Sequence, residues 1–198
     1  MDYPTKKLYD EKIDVDSDLI YYFYTYWKYD DVKSLSFDDN RRINVIRILN
    51  FKNGDDEAFM WFRKCFRNHL EELKDKKWII CSIPSHDQTL PIPNNVDDFI
   101  KFCNLPNNML HVPCLITRKV VMPQKHGPSY GERTPQRDYN SYKIRKDYED
   151  LADKNIIIFD DVTTTGSSLV AARRFLREHG AKKVVCIALG KTLDKYDY

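Results

Sequence analysis

The sequence predicts an α/β fold built on a Rossmann-like, mostly parallel sheet. In the last quarter of the chain, the apolar run Asn155 to Phe159, the helical pattern Ser168 to His179 and the apolar run Lys183 to Leu189 follow one another. A strand, a helix and a strand in this spacing form a βαβ unit, which pairs its strands in parallel through a right-handed crossover. Upstream, an amphipathic helix leads into another apolar strand, so the alternation extends beyond one unit. Finally, 198 residues with 42% hydrophobic and 31% charged side chains suit one α/β domain with a short extension. That balance excludes a disordered tail or a collagen-like repeat.

Residues 1–41 read as an aromatic-rich N-terminal extension. Its run Tyr21-Tyr22-Phe23-Tyr24-Thr25-Tyr26-Trp27 follows the acidic stretch Asp14 to Asp18. Continuous aromatics suit a strand better than a helix, although periodicity alone does not decide. As a surface, the run fits a core or oligomer face better than a base-stacking platform. Arg42 to Phe51 reads either as a strand or as a short helix, closed by the turn signal Asn53-Gly54. Asp55 or Asp56 caps the next helix, whose Phe59, Phe62, Phe66, Leu70 and Leu73 recur at spacings of three and four. Trp78 to Ile83 is then a buried strand stopped before Pro84. Asn94 or Asn95 caps a second helix with Val96, Phe99, Ile100 and Cys103 on one face, and Leu110 to Ile116 reads as a strand. Met122 to Ser141 carries Pro123, Gly127, Pro128, Gly131 and Pro135 and reads as a long loop, expected to act as a lid. A linking helix near Asp147 to Ala152 leads into the βαβ unit, and Gly180 stands where its helix should stop.

Charge and cysteine usage narrow the function classes. The net charge of +2 gives no global attraction to nucleic acid or to membranes. The segment Arg118 to Lys146, however, holds eight Lys or Arg against two acids and is expected to face an anion. Cysteines 65, 81, 103, 114 and 186 show neither a Cys-x-x-Cys pair nor a zinc spacing, so they read as free thiols in a reducing compartment. No apolar run approaches the roughly 20 residues that span a bilayer, and Met1-Asp2-Tyr3-Pro4 does not resemble a signal peptide. A soluble, cytoplasmic protein without a membrane partner is the expectation.

The chemically informative stretch is Ile156-Ile157-Ile158-Phe159-Asp160-Asp161-Val162-Thr163-Thr164-Thr165-Gly166-Ser167-Ser168-Leu169. Two carboxylates stand where a buried strand emerges at its carboxyl end, the edge at which open α/β sheets bind ligands. A hydroxyl-rich loop with one glycine then opens a helix. Its backbone N–H groups, the helix dipole and the hydroxyls converge on one place, which suits a phosphate monoester. Carboxylates do not bind phosphate, so Asp160 and Asp161 must address a ribose diol or a metal ion nearby.

This stretch resembles the signature of the type I phosphoribosyltransferases, which bind 5-phosphoribosyl 1-diphosphate (PRPP). From residue 42 to about 192 the order of elements is similar to the ComF-like, amidophosphoribosyltransferase-like branch, so residues 42–198 are expected to form one such domain. The resemblance implies that Asp160 and Asp161 contact the ribose hydroxyls, directly or through the water shell of Mg²⁺. It gives Thr163, Thr164, Thr165, Gly166, Ser167 and Ser168 to the 5-phosphate, and Ser82, Ile83, Pro84, Ser85 and His86 to the diphosphate. The family's mobile loop corresponds to Met122 to Ser141, with Lys125, Arg133 or Arg137 as the catalytic cations. Lys191 reads either as a substrate contact or as a strand-end lysine. A homodimer is implied by resemblance alone. Two departures matter: Thr164 replaces the acid that purine-salvage members use, and the ComF-like zinc ribbon is absent from this sequence. The acceptor therefore stays open between an amine, a base and water. The competing expectation is a PRPP- or nucleotide-sensing regulatory module without catalysis, which binds a protein or nucleic acid partner.

Overall fold

The computed structural model describes residues 5–8, 13–27, 29–71, 73–87, 89–122 and 134–192. In chain order its elements are β1 (Thr5–Lys7), β2 (Ile20–Tyr26), α1 (Tyr29–Val32), α2 (Asn40–Lys52), α3 (Asp56–Glu71), β3 (Trp78–Ser82) and α4 (Asn95–Phe102). There follow β4 (Met109–His111), β5 (Ile116–Arg118), α5 (Pro135–Ser141), β6 (Tyr142–Ile144), β7 (Asn155–Thr163), α6 (Ser167–Glu178) and β8 (Lys183–Thr192). Six strands form one sheet in the order β1-β2-β8-β7-β3-β4, and every ladder in it is parallel. β5 and β6 pair antiparallel in a separate two-stranded ribbon. The α/β class and the parallel sheet agree with the sequence.

β7 lies in the middle of the sheet and is covered on both faces, which is why it reads as an unbroken apolar run. Ile157 and Phe159 enter one core with Phe51, Phe59, Phe62, Phe66 and Phe99 from α2, α3 and α4. Ile156 and Ile158 enter the other core with Leu169, Ala172, Phe175 and Leu176 of α6 and Tyr142 of β6. The first core is joined by aromatic edges, with Phe66 and Phe159 ring centroids 4.8 Å apart. Burial of these rings, which expose almost no area, is the main force holding the helical layer to the sheet.

One alternative left open by the sequence is decided, and several elements differ from the sequence reading. Arg42 to Phe51 is helical: Val45, Ile48 and Phe51 share one buried face, and Asp39 caps α2 by accepting from Arg41 N–H. Residues 1–41 add β1 and β2 to the sheet, β2 lying in register beside β8, and the expected boundary at 41/42 falls within α2. The single strand expected over Leu110 to Ile116 is two short ones, because Cys114 takes a positive φ of 55° between them. The long loop expected from Met122 to Ser141 ends early. Thr134 caps α5 and Pro135 occupies its first turn, where a missing N–H costs nothing. Near 147–152 the only helical turn among the described residues is a 3₁₀ turn, Lys146–Tyr148.

Candidate active site

At the carboxyl ends of β7, β8 and β3 lies a cleft of about 670 Å³, within the roughly 300–1,000 Å³ usual for small-molecule sites. Its wall holds Ile83, Pro84, Ser85 and His86 after β3, Asp160 and Asp161 on β7, Thr164 in the loop that enters α6, and Ser168 in the first turn of α6. Two segments expected to meet one ligand are thus brought together, although they lie far apart in the chain.

The carboxylates are fixed by their own backbone. Asp161 N–H donates to Asp160 Oδ1 at 2.9 Å, and Val162 N–H donates to Asp161 Oδ1 at 2.5 Å. Because β7 alternates, Asp161 leans toward the α2 side, where Lys52 Nζ stands 3.4 Å from Asp161 Oδ2. The loop beyond is shaped by Gly166, whose φ of 85° would strain an L side chain. Thr165 Oγ1 and Ser167 Oγ are 2.7 Å apart and Val170 N–H closes the first turn on Gly166 O at 3.0 Å. Lys191, buried on β8, donates to Thr164 O at 2.5 Å and Thr192 O at 3.1 Å, so it fastens the loop to the sheet.

The expected site residues do not all line the cleft. Thr163 is buried in the ladder opposite Lys191, while Thr165, Gly166 and Ser167 form the turn behind the lining. Ser82 is not among the lining residues, and its buried Oγ has no hydrogen-bond partner among the described residues. Arg137 is exposed on α5 and is not among the lining residues, whereas Lys125 and Arg133 lie outside the described residues. Among the described residues of the basic segment, no lysine or arginine lines the cleft. Arg118 is fully buried against Asp138 at 3.1 Å, and Arg145 pairs with Asp147 at 2.7 Å. Seven further lining residues were not found from sequence: Tyr26 from β2, Lys52 from α2, Asn94, Asn95 and Val96 at the start of α4, Val162 from β7 and Thr192 from β8. Asn94 was legible as one of two candidate caps, and the structure shows it in a capping box with Asp97, but its sequence carried no sign of a ligand wall. Among the described residues Lys52 is the one lysine or arginine lining the cleft.

Asp160 and Asp161 are adjacent hard oxygen donors, and no group of three or more His, Cys, Asp or Glu side chains suited to a metal occurs among the described residues. Such a pair fits Mg²⁺, which keeps several waters and is commonly held by one or two carboxylates together with substrate phosphates.

Parts of the chain are similar to known proteins. Over 62 residues the chain is 39% identical to the ribose-phosphate pyrophosphokinase of Sulfurisphaera tokodaii, a stretch covering 31% of this chain and 21% of that protein. Over 39 residues it is 49% identical to the ribose-phosphate pyrophosphokinase of Mycoplasma pneumoniae, covering 20% and 12%. The chain thus spans about a fifth or less of the curated relatives it matches. Among solved structures, a hypoxanthine phosphoribosyltransferase from Staphylococcus aureus superposes with a TM-score of 0.39 at 12% identity, over 75% of this chain and 76% of that one. Residues 116–197, which contain the carboxylate pair, the hydroxyl loop and α6, match the phosphoribosyl transferase domain.

Proposed function

We propose that this chain is a Mg²⁺-dependent phosphoribosyltransferase of the ComF-like branch, which binds PRPP and releases diphosphate to an acceptor that is an amine, a base or water. The observation that carries the reading is the placement of Asp160-Asp161 directly before the hydroxyl loop of α6, across one cleft from the 83–86 loop. A ligand with a phosphate at one end, a diol in the middle and a diphosphate at the other matches these three parts in order.

In this mechanism the first-turn N–H groups of α6 and the hydroxyl of Thr164 hold the 5-phosphate, with Thr165, Gly166 and Ser167 shaping the turn behind them. Asp160 and Asp161 accept from the ribose hydroxyls or from water bound to the cation. When bound, Mg²⁺ supplies charge neutralisation to the diphosphate as it leaves. The bond from C1 to the diphosphate oxygen breaks, the acceptor's lone pair forms the new bond to C1, and the acceptor's proton passes to solvent or to the departing diphosphate. Positive charge builds on C1 and the ring oxygen at this point, so carboxylates aimed at the neighbouring hydroxyls stabilise it. Lys52 adds a cation at the α2 wall. A reducing, cytoplasmic setting belongs to the same reading, consistent with five cysteines that are all free. No helix among the described residues is long and apolar enough to cross a membrane.

The test is calorimetric titration of PRPP with Mg²⁺ into the wild type and into Asp160→Asn/Asp161→Asn, followed by a diphosphate-release assay over amines, bases and water. Binding that the double variant loses, with release in one arm, supports transfer. Binding without release in any arm supports the sensing module instead, and a folded wild type that binds no PRPP overturns both.

A further inference from the structure

Arg118 is a fully buried guanidinium that bonds the 84–86 loop on one wall of the cleft and, on its other side, Asp138 and Ser141 of α5. Nε donates to Ser85 O at 2.9 Å and NH2 approaches Pro84 O at 3.4 Å, so two successive carbonyls of the 84–86 loop are drawn to one cation. NH1 donates to Asp138 Oδ1 at 3.1 Å and to Ser141 Oγ at 2.6 Å. Asp138, itself fully buried, accepts at Oδ2 from Ser168 Oγ at 3.1 Å, in the first turn of α6. One ion pair therefore grips the loop after β3 through its cation and the start of α6 through its anion.

The direction of the two carbonyls has a consequence. No peptide among the described residues is cis, and across a trans peptide the N–H points opposite to the C=O. Carbonyls 84 and 85 aimed at Arg118 therefore turn the N–H groups of Ser85 and His86 to the other side of the loop. Successive N–H groups on one side form an anion-binding concavity.

We infer that Arg118 is a positioning residue that never touches substrate but orients the N–H groups of Ser85 and His86 toward a diphosphate, while Asp138 ties that loop to the phosphate-binding turn of α6. The inference rests on the proposed PRPP site. It gives a role to the part of the basic segment that does not face the ligand, and it separates the diphosphate end of the site from the 5-phosphate end.

The experiment titrates inorganic diphosphate with Mg²⁺ and, separately, ribose 5-phosphate into the wild type, Arg118→Lys and Ser141→Ala. Arg118→Lys keeps the charge but loses the fork that spans both carbonyls. Ser141→Ala removes one partner of NH1 and is the milder variant if Arg118→Lys does not fold. Leu151→Ala, in the buried core, serves as a variant that destabilises without touching the network. Diphosphate affinity should fall about tenfold in Arg118→Lys and about threefold in Ser141→Ala, the losses expected for weakened charged hydrogen bonds. Ribose 5-phosphate affinity should stay within about twofold in both. Equal loss of both ligands, or loss of neither, overturns the inference, as does the same selective loss in Leu151→Ala. A wild type that binds neither ligand refutes the underlying PRPP site instead.

Discussion

Removing Asp138 is the sharpest test of how the cleft is held together. Both members of the Arg118–Asp138 pair are wholly shielded from solvent. Asp138→Ala would leave the guanidinium charged, buried and short of its anion, at a cost of about 3–5 kcal/mol. Ser168 Oγ would lose its acceptor as well, adding about 1 kcal/mol. The sum, about 4–6 kcal/mol, is a large fraction of the roughly 5–15 kcal/mol that holds a domain folded. For a chain of this length each kcal/mol moves the melting temperature by about 2–4 °C, so the variant should melt about 8–24 °C below the wild type. Differential scanning calorimetry reads this directly. Arg118→Met/Asp138→Leu, which removes both charges, should recover most of the loss, because a buried pair replaced by apolar side chains is often no less stable. The recovered protein should still bind diphosphate poorly, since the carbonyls of residues 84 and 85 no longer have their cation. If Asp138→Ala melts within about 3 °C of the wild type, the network is not the buried strut described above.

Two further outcomes follow from other parts of the molecule. Lys52 and Asp161 are both partly exposed, so Lys52→Met should change stability by no more than about 1 kcal/mol in urea unfolding. The same change should weaken PRPP binding several-fold at low ionic strength, and the difference should shrink as salt rises; an effect independent of salt would place Lys52 outside the ligand's field. Burial pushes the Cys103 thiol up to about 12 and the Cys186 thiol up to about 11, from an ordinary value of 9.0. Thiols of this kind stay protonated in the folded protein while the unfolded chain releases its protons. Their contribution to stability is therefore intact below pH 9 and declines as pH rises from there toward 11 and 12. The urea midpoint should fall between pH 8 and about pH 10.5, and a midpoint that rises would contradict the burial of these groups.

The sequence made the end of the chain the most legible part. A strand flanked on both faces must be apolar throughout, and Ile156 to Phe159 is; Gly180 takes a φ of 96° where the helix stops, as its position suggested. The carboxylate pair and the hydroxyl loop were visible because they are contiguous. What stayed hidden is what depends on contacts distant in the chain. An arginine inside a basic segment is ordinarily solvated, and nothing local marks Arg118 as the exception that pairs with Asp138. Pro135 looked like part of a loop, but at the first turn of α5 proline is an ordinary helix residue. Lys52 and Tyr26 reach the cleft only because α2 and β2 are set beside β7 and β8 by the sheet order. No residue spacing encodes that order.

The register of β2 on β8 bears on how this protein is made. Ile20 pairs with Cys186 and Tyr26 with Thr192, so a strand near the start of the chain waits for a partner near its end. A ribosome adding about 5–20 residues per second needs about 8–33 s to travel from one to the other. Throughout that interval an aromatic strand rich in β-forming side chains has emerged with β1 available on one edge and the edge that β8 will cover unsatisfied, a template for pairing with another nascent copy. The slow step in biogenesis should accordingly be closure of the sheet around β8, and holding the early strand apart from its neighbours is a natural task for a chaperone.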